Sequence, residues 1–195
     1  RVNPTSSSYL AYSILDGSAN GDDPDFDSFE DGTWAHLAEI AYQPEIDGLG
    51  QGNYRIGLQH AESSGDSPNS TTWSISFDQE LGDHLGAFFR YGNGDGRLKS
   101  VEQFFSGGLA WKGVFGYNND WIGVGGFWAE PATPSGDSSG SPTRPQKEYG
   151  LESYYRFQLT KRSQLTVDGM LLRPSDPAGD DNLEAILSLR LGFNF

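Results

Sequence analysis

The sequence predicts an all-β fold, a transmembrane antiparallel up-and-down β-barrel. Three observations predict it: apolar and polar residues alternate over strand-length segments, short and long connections alternate between those segments, and aromatic residues gather near segment ends. The clearest segment is the last, LEAILSLRLGFNF. Side chains alternate faces along a strand, so Leu183, Ala185, Leu187, Leu189, Leu191, Phe193 and Phe195 share one side, while Glu184, Ser188, Arg190 and Asn194 share the other. A soluble sandwich strand shows such a pattern over roughly five or six residues. This one continues toward the roughly 9–11 residues that a tilted strand needs to cross a bilayer.

The same period of two recurs along the chain. SYLAYSILD (Ser8 to Asp16), WAHLAEIAY (Trp34 to Tyr42), YRIGLQH (Tyr54 to His60), TWSISFD (Thr72 to Asp78) and HLGAFFRYG (His84 to Gly92) come first. SGGLAWKGVF (Ser106 to Phe115), WIGVGGFWA (Trp121 to Ala129), EYGLESYYRFQL (Glu148 to Leu159) and QLTVDGMLL (Gln164 to Leu172) follow, before the final segment. In the Glu148 segment Tyr149, Leu151, Tyr155, Phe157 and Leu159 oppose Glu148, Glu152, Tyr154, Arg156 and Gln158, so one face carries charge throughout. The chain thus supplies about ten strands by this criterion.

Connections at Gln79 to Asp83, Tyr117 to Asp120 and Thr160 to Ser163 are short. Those at Gly17 to Gly32, Ala61 to Asn69, Asn93 to Gln103, Glu130 to Lys147 and Pro174 to Asn182 are long and polar. Only Gln43 to Gln51 is longer than its side of the pattern requires. Short turns on one rim and long loops on the other are the habit of outer-membrane barrels, and a soluble sandwich has no reason to segregate them. Trp34, Tyr42, Trp73, Phe77, Tyr91, Trp121, Trp128, Tyr149 and Phe195 fall near segment ends, where interfacial girdles sit.

Composition agrees. Hydrophobic residues make up 35% and aromatics 13%, with Gly 26 and Pro 10 marking many turns. A mean hydropathy of -0.55 suits strands that are apolar on one side only. No apolar run approaches the roughly 18 residues of a membrane helix. The absence of cysteine excludes disulfides and thiolate metal sites. Asp+Glu 27 against Lys+Arg 13 argues against nucleic acid as a partner. The chain begins at Arg1 without an apolar leader, so a signal peptide is expected to be absent or already removed.

Five blocks together carry a resemblance: FDQELGDHLGAFFRYGNGDG (Phe77 to Gly96), FFSGGLAWKGVFG (Phe104 to Gly116), WIGVGGFWAEP (Trp121 to Pro131), EYGLESYYRFQLT (Glu148 to Thr160) and the closing LRLGFNF. The chain resembles the carbohydrate-selective porins typified by OprB. The resemblance implies a barrel of the sixteen-strand class in the outer membrane of a Gram-negative-type bacterium, passing sugars and other small hydrophilic solutes by diffusion. It further implies contact with outer-membrane lipid, and it makes Phe193 and Phe195 part of a signal read by the outer-membrane assembly machinery. The chain departs from the family in length. It looks like the C-terminal portion of a longer porin, one barrel domain over 1–195 that takes additional strands from an N-terminal segment.

On the wet face Glu39, Arg55, Arg90, Lys112, Glu152, Arg156, Asp168, Glu184 and Arg190 are the candidate pore-lining and sugar-binding residues. Guanidinium forks and carboxylates suit hydroxyls, and neighbouring Trp or Tyr rings suit the apolar faces of sugars. The bland alternative is that these charges neutralise one another inside the wall. Asp16 to Asp31 is densely acidic, and Asp23, Asp25 and Asp27 offer hard oxygen ligands. An EF-hand counted from Asp23 nevertheless meets Ser28 where glycine is required and Trp34 where the bidentate glutamate belongs. A solvated acidic loop is expected there, with weak divalent-cation binding as the alternative. GDSSG (Gly136 to Gly140) matches a nucleophile elbow in letters only, because it lies in a low-complexity loop without the flanking strand and helix. No motif asks for a cofactor or catalysis. The competing reading is a small ten-stranded outer-membrane barrel with a structural or hydrolase role, in which His60 or His84 and a loop aspartate activate water.

Overall fold

The computed structural model describes residues 1–16, 34–62, 69–95, 101–132, 146–174 and 182–193. Its strands are β1 (Val2–Thr5), β2 (Ser8–Asp16), β3 (Trp34–Tyr42), β4 (Glu45–Ile46), β5 (Gly50–Ala61), β6 (Ser70–Leu81), β7 (Leu85–Gly94), β8 (Val101–Lys112), β9 (Trp121–Pro131), β10 (Glu148–Gln158), β11 (Ser163–Arg173) and β12 (Glu184–Phe193). Every pairing is antiparallel. The strands follow one another in chain order across a single sheet, with β4 set aside as a partner of β5. Up-and-down order arises because each strand ends at a connection that returns it beside itself.

The expected strands are present, and two short ones join them. β1 and β4 are too short for a period of two to show. β4 sits in the over-long Gln43 to Gln51 connection, pairing Glu45 with Gln51 and Ile46 with Gly50. That connection is fixed to the next turn by Gly82 N–H donating to the Leu49 carbonyl at 2.7 Å. Phe115 does not belong to β8 as its alternation predicts. The chain turns into a short 3-10 segment, Val114–Gly116, with Gly113 (φ 78) and Phe115 (φ 54) in the left-handed region. Gly113 accepts that backbone without strain, so the turn begins there. Asp120, buried at the end of this turn, accepts from Tyr155 Oη and from the Gln158 N–H, each at 2.9 Å, and ties the turn to β10.

Burial is inverted relative to a soluble core. Among the described residues the buried apolar side chains are Ala35, Ala41 and Ala129. Leu10, Ile14, Ile40, Ile56, Leu58, Leu151, Leu171, Leu187, Leu189 and Leu191 are all exposed, with Leu187 at 82%. The registers place these large residues on one side. Leu10 lies opposite Ile40, Ile40 opposite Ile56, Leu151 opposite Leu171, and Val167 opposite Leu189. A contiguous apolar surface on this scale is what a lipid-facing wall presents, and a monomeric soluble protein would not tolerate it. Among the described residues no helix is long and apolar enough to cross a membrane, which leaves crossing by strands untouched.

Aromatic rings bind this outer surface laterally. Tyr42, Tyr54, Phe77 and Phe89 form a cross-strand run with centroid separations of 6.4, 5.6 and 6.2 Å. Trp73 and Tyr91 meet at 5.2 Å. Trp121, grouped above with the rim aromatics, departs from them: it pairs with Arg156 and Lys112 and faces the other side. Among the described residues no hydrogen-bonded pairing joins β12 to β1 or β2, so the sheet has two free edges.

Candidate functional site

The face opposite the apolar one gathers all the charged candidates. Cross-strand partners share a face. Arg55 stands opposite Ala41 and Ser76, Ser76 opposite Arg90, and Arg90 opposite Ser106. Glu39 lies opposite Gly57, Lys112 opposite Trp121, and Trp121 opposite Arg156. Arg156 is followed across the sheet by Thr166 and then Arg190, while Asp168, Glu152 and Glu184 occupy neighbouring positions on the same side. Residues scattered over the sequence are thereby assembled into one polar surface, because each lies an even number of residues from the others along its strand and the registers keep parity.

Three groupings shape this surface. The first centres on Asp78. Arg90 Nη2 donates to its Oδ1 at 2.6 Å and Arg55 Nη2 lies 3.5 Å from its Oδ2, so one carboxylate bridges two guanidinium groups. Arg90 also donates through Nη1 to the Phe77 and Phe89 carbonyls at 2.9 and 3.0 Å, and Arg55 donates to Ser76 Oγ at 3.1 Å. Arg55 and Arg90 are thus braced, with about a third of each side chain open to solvent. The second lies at the short-turn end, where Arg156 Cζ stands 5.3 Å and Lys112 Nζ 5.9 Å from the Trp121 ring centroid. In the third, Glu152 and Asp168 are diagonal neighbours on β10 and β11, with Arg190 on the next strand. Glu39 is tied separately, accepting from Tyr9 Oη at 2.5 Å.

Asp78, Tyr9 and Trp121 escaped the sequence-derived set. Asp78 was legible in principle, since it continues the Ser74, Ser76 parity of its strand, but only register reveals that it sits between two arginines. Trp121 opens a segment whose glycines leave no pattern to assign its face.

The histidines do not form a common centre. His36 and His60 are cross-strand partners on the apolar side near the long-loop ends, engaged with Tyr12 Oη at 2.8 Å and Thr71 Oγ1 at 2.9 Å. His84 lies in the turn between β6 and β7, at the opposite end of the strands. His60 and His84 therefore cannot share one water. Phe193 is on the apolar face of β12, opposite Ser163. Phe195, the acidic stretch with Asp23, Asp25 and Asp27, and GDSSG lie outside the described residues.

A sheet that is apolar on one face, charged on the other, and wound up and down in chain order defines a wall of the outer-membrane porin class. The profile of the carbohydrate-selective porin, OprB family, matches residues 1–195, and the chain belongs to that family, which is one of channels. Among solved structures, the high-pH structure of Pseudomonas putida OprB shares its fold with a TM-score of 0.79 at 18% identity, over 99% of this chain and 57% of that one. The chain thus spans little more than half the length of that porin. No curated protein matches it.

Proposed function

We propose that the protein is an outer-membrane channel for passive diffusion of sugars and other small hydrophilic solutes, in a Gram-negative-type bacterium. The observation that carries this reading is the mixed-charge face, on which arginines (the braced Arg55 and Arg90, and Arg156 beside Trp121) are interspersed with carboxylates (Glu39, Asp78, Glu152, Asp168, Glu184) and with Lys112 and Arg190. Such a surface offers donors and acceptors to hydroxyls in a partly dehydrated passage. Each charge-assisted hydrogen bond there contributes roughly 1.5–3 kcal/mol. Interspersed signs hold the net field down, so neutral sugars are favoured over large anions.

The described strands form part of a larger barrel. Backbone groups at an open sheet edge in hydrocarbon cost several kcal/mol each, so membrane sheets close. A barrel of about eight strands is filled by its own side chains, whereas sixteen to eighteen leave an aqueous channel. The likeness to the Pseudomonas putida porin supports the second case, because a sheet curved like that barrel keeps its own edges apart. In this reading 1–195 is the C-terminal portion of one barrel domain, further strands fill the gap between β12 and β1, lipid covers the apolar face, and Phe193 with Phe195 is read by the assembly machinery. The test is liposome swelling with the native, full-length protein. Swelling at rates graded by sugar size is expected. Impermeability to every sugar in vesicles that conduct ions would refute the reading.

A further inference from the structure

β9 (Trp121–Pro131) turns Trp121, Gly123, Gly125, Phe127 and Ala129 toward the polar side, and an aromatic ring is brought to each of these positions. Trp121 and Phe127 supply their own. Tyr154, from β10, lies over Gly123, where an added Cβ would collide with its ring. Phe88, from β7, reaches across Gly108 to Gly125: a Cβ would stand 2.6 Å from Phe88 Cε1 at Gly108 and 3.4 Å from Phe88 Cζ at Gly125. Phe104, opposite Ala129, stacks on Phe127 at 6.3 Å with planes 21° apart, and Phe127 in turn rests against Gly150.

Glycine at 108, 123, 125 and 150 thus lets rings lie down on the backbone rather than stand in the lumen. The rungs are two residues apart, about 6.6–6.8 Å along the strand. Phenylalanine on a water-facing wall loses solvation free energy unless something apolar covers it, yet Phe88 and Phe104 each remain 37% exposed. Cationic groups lie over Phe88 and Trp121, and a carboxylate stands beside the glycines. Arg90 Cζ is 5.4 Å from the Phe88 centroid, Arg156 and Lys112 border Trp121, and Glu152 is the cross-strand partner of Gly125.

We propose that this ladder is a binding track for pyranose rings. The C–H face of the sugar stacks on successive aromatic rings, and its equatorial hydroxyls bond to the flanking arginine and carboxylate groups. The proposal rests on the sugar-diffusion reading and deepens it: the pore discriminates by ring shape, retaining cyclic sugars over open-chain polyols with as many hydroxyls. A purely polar constriction would not make that distinction.

The test uses the native, full-length protein in planar bilayers, recording current interruptions by glucose and by mannitol. The wild type should be interrupted by glucose and scarcely by mannitol. In Phe88→Leu/Phe127→Leu, which keeps apolar volume but removes two rings, glucose residence should fall about tenfold while ion conductance is retained. Phe104→Leu, at an exposed position, should give a smaller loss in the same direction and serves if the double variant fails to fold, as judged by heat-modifiable migration. Equal interruption by glucose and mannitol, or unchanged glucose residence in both variants, overturns the track while leaving sugar diffusion standing. Vesicles that conduct ions yet admit no sugar overturn the diffusion reading, and the track with it. If a segment of the polypeptide covers the ladder, ring removal changes conductance rather than glucose residence, and that result also overturns the track.

Discussion

At the scale of single residues, the arrangement around Asp78 makes a signed prediction. Its carboxylate bridges Arg90 and Arg55, at 2.6 and 3.5 Å. Asp78→Ala removes one negative charge and leaves two guanidinium groups facing the passage, so the reversal potential in a salt gradient should shift toward anion preference. The shift should shrink as salt is raised, since the Debye length falls from about 10 Å at 0.1 M to about 3 Å at 1 M. An unchanged reversal potential at low salt would remove Asp78 from the passage. Arg156 is held differently: it borders Trp121, and among the described residues no carboxylate braces it in the way Asp78 braces Arg90. Arg156→Ala should weaken sugar block of ion current by about an order of magnitude, read as the block constant in bilayer recordings. Equal block would move the site elsewhere on the wall.

At the scale of elements, β12 is the sharpest case because its alternation is strict and its exposure high. Leu187 lies opposite Gly169 on the apolar side and Ser188 opposite Asp168 on the polar side. Spin labels at 187 and 188 should therefore report lipid and water respectively, and equal accessibility to oxygen and to a polar quencher would contradict the face assignment. A slip of one residue would drive Glu184 and Arg190 into hydrocarbon. For the same reason Leu187→Arg should lower unfolding free energy in lipid by about 2–4 kcal/mol if the position lies near the midplane, measured by denaturant titration of the folded band.

At the scale of the whole molecule, the two free edges decide what kind of pore is possible. If the sheet is part of a larger barrel, as proposed, cysteines introduced in pairs along the β1–β2 edge and β12 at matching heights should fail to cross-link in the native protein. A ladder of efficient disulfides between them would show instead a narrow barrel closed on itself. Removal of Phe195 should reduce the heat-modifiable fraction in outer membranes without reducing synthesis, as expected for an assembly signal. Normal insertion would leave it an interfacial anchor only.

The sequence by itself determined the faces. In EYGLESYYRFQL or LEAILSLRLGFNF, parity assigns nearly every side chain to lipid or lumen, because strand geometry has a fixed period of two. It also determined the up-and-down order through the alternation of short and long connections. What only the tertiary structure decided is register, which depends on pairing between strands and leaves no mark within one. Register sets Asp78 between Arg55 and Arg90, seats Tyr154 on Gly123 and Phe88 on Gly108, and parts His60 from His84. β1 and β4 stayed hidden because four and two residues cannot display a period. Trp121 stayed ambiguous because the glycines beside it carry no side chain to reveal a face.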